Sequence, residues 1–448
     1  MTKDMTVGNP VKLILFFTFP LLIGNLFQQL YSMADTFIVG RTLGVNALAA
    51  VGCTGSLTFF ILGFAQGLTS GFSIIMAQRF GARDMEGVRR SFAASILLSA
   101  IVTLVLTLVS VLGARPLLHL LHTPEEILED AYRYIVIIFA GIGASMLFNL
   151  LSNVLRALGD SKMPLIFLVI ACVLNIILDF VLILSADMGV AGAAVATVAA
   201  QLVSGLLCVL YIVRSFPMLH LSRQDLRVTG FDLGIHLKMG LPMGFQASII
   251  AIGTLILQFT LNNLGALSVA AYTAAQKVDN IATQPTMSFG MTMATYAGQN
   301  YGAGKIDRIR KGVLQCSLIS VTFSIVMGLV NIFFGHILAG FFVSGQPEVI
   351  EQARIYLAIN GSAYFVLALL FIFRYTLQGL GQSFVPTFAG IMELVMRSFA
   401  AVILTGMWGY AGACAANPLA WLGSCVPLSI AFFVTMKKLR RNPPRQEI

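Results

Sequence analysis

Few residues in this chain are equipped for chemistry, and most of those lie inside long apolar stretches. Asp35 and Asp179 are carboxylates in such stretches, and Asn175 stands four residues before Asp179, which puts both on one helix face. Gln28 is seven residues before Asp35 and Tyr31 four before it, again on one face. Thr197 adds a hydroxyl among small residues that permit close helix contact. An ionisable group at bilayer depth costs at least about 3 kcal/mol on insertion scales, so such groups usually face a cavity or a partner. Two carboxylates with amide and hydroxyl oxygens, and no Lys or Arg at comparable depth in the first half, leave a deficit of positive charge. A proton fills it by neutralising a carboxylate, and a hard cation such as Na+ fills it through oxygen ligands. The plainer alternative is that each Asp only bonds a hydroxyl or a backbone group between helices.

The second half carries a different set: Lys277, Asp279, Arg374, Glu393 and Arg397. With three basic and two acidic groups, this set can neutralise itself. Glu393 and Arg397, spaced i,i+4, can pair on one helix, whereas Lys277 and Asp279 at i,i+2 point to different faces and need partners elsewhere. A structural ion-pair network is one reading, and charges meeting substrate in a cleft is the other; the sequence leaves both open. Pro20, fifteen residues before Asp35, removes a helix hydrogen bond and predicts a kink. A bend that responds to neutralisation of Asp35 and a fixed kink that suits the packing are both compatible with it.

Nothing in the chain assembles a catalytic constellation. The histidines (His119, His122, His220, His236 and His336) fall in loops or at helix ends, and there is no phosphate-binding loop, HExxH or GxSxG. The six cysteines are scattered singly without a CxxC, as small core residues are. The expectation is therefore no enzyme and no cofactor, with H+ or Na+ as the only ion and no metal beyond Na+ at the Asp35 group.

These residues must be positioned by membrane helices. Of 448 residues, 58% are hydrophobic and 10% charged, and the mean hydropathy of +0.88 excludes a water-soluble fold. Apolar runs long enough to cross about 30 Å of hydrocarbon recur, and lipid leaves helices as the only plausible spans. Twelve segments are expected, near 13–38, 47–77, 92–113, 131–155, 163–185, 190–213, 237–263, 267–298, 313–335, 353–380, 385–407 and 411–436. The N-terminus lacks a basic-then-apolar run with a small-residue cleavage site, so the first helix is expected to stay in the mature protein.

The net charge of +9 reflects topology rather than nucleic-acid binding. Loops after even-numbered segments hold most of the basic residues: Arg79, Arg83, Arg89 and Arg90, then Arg156 and Lys162, then Arg214, Arg223, Arg227 and Lys238, then Lys305, Arg308, Arg310 and Lys311. The tail adds Lys437, Lys438, Arg440, Arg441 and Arg445. Loops after odd-numbered segments have only Arg41, Arg115, Arg133 and Arg354, with the acidic Glu125, Glu126, Glu129 and Asp130. A multi-pass inner-membrane protein with both termini cytoplasmic is expected.

An internal repeat sets the architecture. At an offset of 221 or 222, Pro20 falls on Pro242, Gln78 to Ala82 on Gln299 to Ala303, Arg89 on Arg310, Leu155 to Gly159 on Leu377 to Gly381, and Pro164 on Pro386. Gly189 to Gly192 match Gly409 to Gly412 at 220. Six spans per copy, an even number, make the repeats parallel. The reading is an all-α membrane protein of twelve transmembrane helices in two parallel-repeat six-helix bundles around a central cleft. Residues 1–213 form the N-terminal lobe, 214–236 a cytoplasmic linker and 237–448 the C-terminal lobe with a basic tail.

Taken together, Pro20, the run Gln28 to Gly40, the paired loops Gln78 to Ala82 and Gln299 to Ala303, Leu155 to Asp160, Asn175 to Asp179 and Gln276 to Asp279 resemble the multidrug and toxic compound extrusion (MATE) transporters. They are closest in pattern to the prokaryotic subgroup named after DNA-damage-inducible protein F. The resemblance covers nearly the whole chain. It implies an antiporter that exports cationic or amphipathic small molecules by alternating access, with a proton or sodium gradient as the drive. It also implies that Asp35, Asn175, Asp179 and Thr197 form the cation site, with Gln28 and Asn153 nearby. Another branch of the family places a coupling carboxylate in segments seven and ten; here those spans hold no acid, and segment ten offers Arg374. Small-molecule substrates and membrane lipids are the expected partners, nucleic acid is not, and a monomer is expected. Major-facilitator antiporters also have six plus six spans, but the Asn175/Asp179 pair has no place in them. Lipid-linked sugar flippases of the same superfamily tend to more spans and a more cationic cavity. An intramembrane enzyme would need a nucleophile or metal cluster, and the sequence offers none.

Overall fold

The computed structural model describes residues 4–121, 123–222, 225, 227–341 and 346–441; His122, Arg223 and Arg445 lie outside them. The described residues form helices and no strand. In chain order the helices are α1 (Pro10–Leu43), α2 (Val45–Gly81), α3 (Met85–Leu120), α4 (Glu125–Ala140), α5 (Ile142–Ala157), α6 (Lys162–Asp179), α7 (Gly189–Ser215) and α8 (Gly230–Asn263). There follow α9 (Ala266–Gly302), α10 (Ile306–Gly340), α11 (Pro347–Gly361), α12 (Tyr364–Gly379), α13 (Phe384–Phe399), α14 (Thr405–Trp408), α15 (Tyr410–Cys414) and α16 (Ala416–Arg441).

Among the described residues, nine helices are long and apolar enough to cross a membrane, and the bent pairs α4/α5 and α11/α12 bring the number to 11. The remaining long helix, α9, carries Gln276, Lys277, Asp279, Asn280 and Gln284 in close succession, and so falls short by composition. With it there are twelve helical passages, matching the segments expected from sequence. The bends themselves were not expected. α4 and α5 meet at 45° and α11 and α12 at 49°, where the sequence suggests continuous spans. The first bend is at Gly141, where a Cβ would stand 2.3 Å from Val198 Cγ2, so α7 presses on the backbone at the break.

The chain forms two compact units. One holds Met1–Asp4 and Ile23–Ser248, the other Met5–Leu22 and Ile249–Ile448. The start of α1 thus packs with the second unit and the start of α8 with the first, so the packing boundaries differ from the repeat boundaries. In the first unit α5 packs against α2 and α7, and its core includes Phe72, Met76, Phe92, Leu151, Val154 and Phe167. α2 meets the first part of α8 backbone to backbone: a Cβ on Gly71 would come within 2.6 Å of Gly240 Cα, and one on Gly67 within 2.4 Å of the Met243 carbonyl oxygen. Small residues allow this approach, as is usual where membrane helices cross closely. In the second unit the start of α1 lies against α9, where the Thr18 and Thr292 hydroxyls are 2.8 Å apart.

Both units repeat their local irregularities. Gly44 (φ 87°) and Gly265 (φ 96°) make the left-handed links between α1 and α2 and between α8 and α9, conformations that a side chain would strain. α6 widens into a π-turn at Phe180–Ser185 and α13 into one at Ala400–Leu404. Each π-turn receives a glycine from the next passage: Gly192 packs on Leu182, and Gly412 on Leu404.

Candidate functional site: a buried carboxylate pair

In the first unit α1 and α6 bring Asp35 and Asp179 together. Asp35 is 9% exposed and Asp179 fully buried, and their carboxyl groups face one another within hydrogen-bonding reach. One oxygen of each, Asp35 Oδ1 and Asp179 Oδ1, is buried without a hydrogen-bond partner. Asn175, also fully buried, shares the helix face of Asp179. With its amide turned so that both ends are satisfied, it donates to Asp179 Oδ2 at 3.1 Å and accepts from the Thr197 N–H at 3.2 Å. From α1, Tyr31 donates its hydroxyl to Thr197 Oγ1 at 3.2 Å. α7 can present Thr197 at this depth because it is lined by buried glycine and alanines: Gly192, Ala193, Ala194, Ala196 and Ala200.

The structure divides the residues expected from sequence. Asp35, Asn175, Asp179 and Thr197 come together, with Tyr31. Gln28 is exposed. Asn153 lies elsewhere in the unit, donating to Thr69 Oγ1 (3.2 Å) and Ser70 Oγ (3.3 Å) on α2 and accepting from Arg156 (3.4 Å). Tyr134 of α4, buried beside the Asp35, Tyr31 and Asp179 group, was missed. A lone tyrosine in an apolar span gives no sign of where it points. Pro20 lies inside α1, close to the point where that helix passes from the second unit to the first.

Two buried carboxyl groups face to face, each with a free oxygen, have chemistry for a positive charge. A single proton can be held between them, or a small hard cation can take the free oxygens. The described ion pairs of this unit, such as Arg79 with Asp232 at 3.0 Å and Arg89 with Asp225 at 3.4 Å, involve neither Asp35 nor Asp179.

In the second unit the described ion pairs join three of the five charges. Glu393 receives Arg374 Nη2 at 2.6 Å and Arg397 Nη2 at 2.9 Å, all three side chains being 4–6% exposed. The i,i+4 pair expected from sequence is present, and Arg374 joins it from another helix. Asp279 stands apart. It accepts from Tyr364 Oη at 2.5 Å and from Tyr356, and Tyr364 is itself held by Asn331 at 2.8 Å. Lys277, two residues earlier on α9, is exposed.

Comparison with known proteins agrees with the repeat. The MatE family model matches twice, at residues 20–181 and 242–403. The probable multidrug resistance protein YpnP of Bacillus subtilis is 32% identical over 310 residues, 68% of each chain. YoeA of the same organism, also a probable multidrug resistance protein, is 26% identical over 90% of each chain. A protein of Shewanella oneidensis named as an FAD transporter is 24% identical over 86% of each chain. Among solved structures, an outward-facing multidrug resistance MATE family transporter superimposes with a TM-score of 0.91 at 23% identity, covering 99% of this chain and 100% of that one. A MATE protein in the bent conformation gives 0.90 at 24% identity, covering 98% and 99%. The duplicated family match over most of the sequence, with the all-helical repeat that carries it, makes this chain a member of the MatE family of multidrug and toxic compound extrusion transporters.

Proposed function

We propose that the protein is a secondary antiporter that exports cationic or amphipathic small molecules, and that the Asp35/Asp179 pair is where the driving cation, H+ or Na+, binds. The observation that carries this reading is the facing of two buried carboxyl groups, each with an unpartnered oxygen, in a unit whose described ion pairs leave both alone. Without a cation the two charges repel. With one, α1, α6 and α7 can draw together around Asp35, Asp179, Asn175 and Thr197, so the unit has two states that differ in ion affinity. A solute is moved when it prefers one of these states. Asn175 orients Asp179, and the Tyr31–Thr197 bond ties α1 to α7 across the group.

The distribution of Lys and Arg supports a cell-membrane orientation with both termini cytoplasmic, and we propose that the protein works as a monomer. Names of the relatives, multidrug resistance proteins above all, favour a broad substrate range. The test is efflux of a fluorescent organic cation from proteoliposomes under separately imposed proton and sodium gradients. One gradient should drive movement and its dissipation should stop it. Failure of both would overturn coupled antiport.

A further inference from the structure

The internal repeat allows the cation group of the first unit to be located in the second. Gly192 on Leu182 and Gly412 on Leu404 are the same contact in the two copies. This gives an offset of 222 along α6 and α13 up to the π-turn and of 220 after it, while α1 starts at 222 (Pro20 on Pro242) and ends at 221 (Gly44 on Gly265). Asp35 therefore falls on Leu257 or Ile256, both apolar, Asp179 on Ala401, Asn175 on Arg397, Thr197 on Asn417 and, at 222, Tyr31 on Gly253. Both carboxylates are gone and an arginine has entered. The change is accommodated structurally: a Cβ on Gly253 would lie 3.0 Å from Arg397 Nη1, so the guanidinium occupies space beside α8 that a larger side chain would take. The equivalent group of the second unit thus carries the opposite charge.

Its charges do not balance internally. One carboxylate, Glu393, faces two guanidiniums, Arg374 and Arg397, which leaves a positive surplus in a region 94–96% buried. Asp279 makes no described ion pair with either arginine and accepts from Tyr364 and Tyr356 instead. Hydrogen-bonding capacity is also left over. Arg397 Nε and Nη1 and Arg374 Nε are buried without a partner among the described residues, although Ser424 accepts from Arg374 Nη2 at 3.0 Å. Unmade bonds to a buried charged donor are costly, and planar guanidinium forks suit carboxylate and phosphate oxygens.

We propose that Arg374 and Arg397 of the second unit form a binding site for the carboxylate or phosphate group of an amphipathic small molecule. The site deepens the antiport reading by giving the substrate an anionic group to be held, while the first unit holds the cation. An incoming anion supplies the second negative charge that the triad lacks and competes with Glu393 for the two forks. Removing Glu393 therefore strengthens anion binding, whereas removing either arginine weakens it.

The experiment is equilibrium binding to the purified full chain in nanodiscs, without ion gradients, read by fluorescence anisotropy. The probes are the anionic xanthene dye fluorescein and a cationic rhodamine ester built on the same ring system. Fluorescein should bind, at least about tenfold more weakly to Arg397→Gln and Arg374→Gln, and about tenfold more tightly to Glu393→Gln. Arg397→Lys keeps the charge and the pairing with Glu393 while losing the fork, so it should fold and bind fluorescein a fewfold more weakly; it serves if the other variants do not fold. The rhodamine ester should follow none of these changes. Equal fluorescein affinity in the wild type, Arg397→Lys and Arg397→Gln would overturn the proposal, as would parallel changes with both dyes. Because no gradient is used, loss of this site and failure of cation-driven antiport are read in separate assays.

Discussion

Glu393→Gln removes one negative charge from between two buried guanidiniums and changes the side-chain shape little. In the native protein the carboxylate makes bonds of 2.6 and 2.9 Å to Arg374 and Arg397. Charge-assisted bonds contribute about 1.5–3 kcal/mol each, and a buried pair broken on one side costs about 3–5 kcal/mol because the surviving charge is left alone. Glutamine keeps one acceptor oxygen and turns an amide N–H toward the other guanidinium, so the loss should be near 3–5 kcal/mol. Arg397→Gln is the informative comparison. It leaves Glu393 matched one to one with Arg374 and removes the surplus charge, so its cost should be about 1.5–3 kcal/mol, on the scale of a single lost charge-assisted bond. Denaturant unfolding of both variants in mixed micelles, read by near-ultraviolet circular dichroism, gives the order directly. Glu393→Gln must be the less stable. An equal or reversed order would refute the view that Glu393 is the shared counter-ion of both arginines.

Thr197→Val keeps the shape but removes the oxygen that accepts from Tyr31; calorimetry should show cation affinity reduced about fivefold, as expected for one hydrogen bond. Tyr31→Phe should do the same, and the double variant should cost little more than either alone. Pro20→Ala should reduce efflux while calorimetric ion binding persists, if bending of α1 at Pro20 transmits the state of Asp35; unchanged efflux would make Pro20 a packing residue. Asp225 lies in the segment between α7 and α8, and the Ser222 hydroxyl and N–H, then Arg89, hold its carboxyl below the usual range. A depressed folded-state value means that its contribution is present above the unfolded value near about 4 and lost as pH falls through the folded one. Hydrogen exchange around Asp225, corrected for intrinsic rates, should accelerate only in that acid window.

Much of the fold is legible in the sequence, because a membrane allows one kind of span and the repeat is carried by prolines and glycines that keep their spacing. The bends at Gly141 and near Ser362 were not legible, since a glycine or serine in an apolar run does not reveal which neighbour presses on it. The carboxylate group was partly legible. Asn175 and Asp179 share a face by spacing, and charges in apolar runs stand out, but Gln28 met the same spacing test with Asp35 and is exposed. Periodicity fixes a face, not what that face meets. For the same reason Glu393/Arg397 could be paired from sequence while Arg374 could not, and Asp279 found tyrosines 77 and 85 residues away. The reversed charge of the equivalent group in the second unit needed the structure, because the offset changes from 222 to 220 between α13 and α15.

We propose that Asp35 and Asp179 together hold the driving cation, and this assignment stands or falls on their charge. Asp35→Asn and Asp179→Asn keep the side-chain shape and cannot carry the charge, so the most direct measurement is gradient-driven efflux of a fluorescent cation by each variant in proteoliposomes, beside the wild type and with protein insertion quantified. On this assignment both variants fold and insert normally, and each loses gradient-driven efflux. Efflux at the wild-type rate, under either a proton or a sodium gradient, by both variants would contradict it.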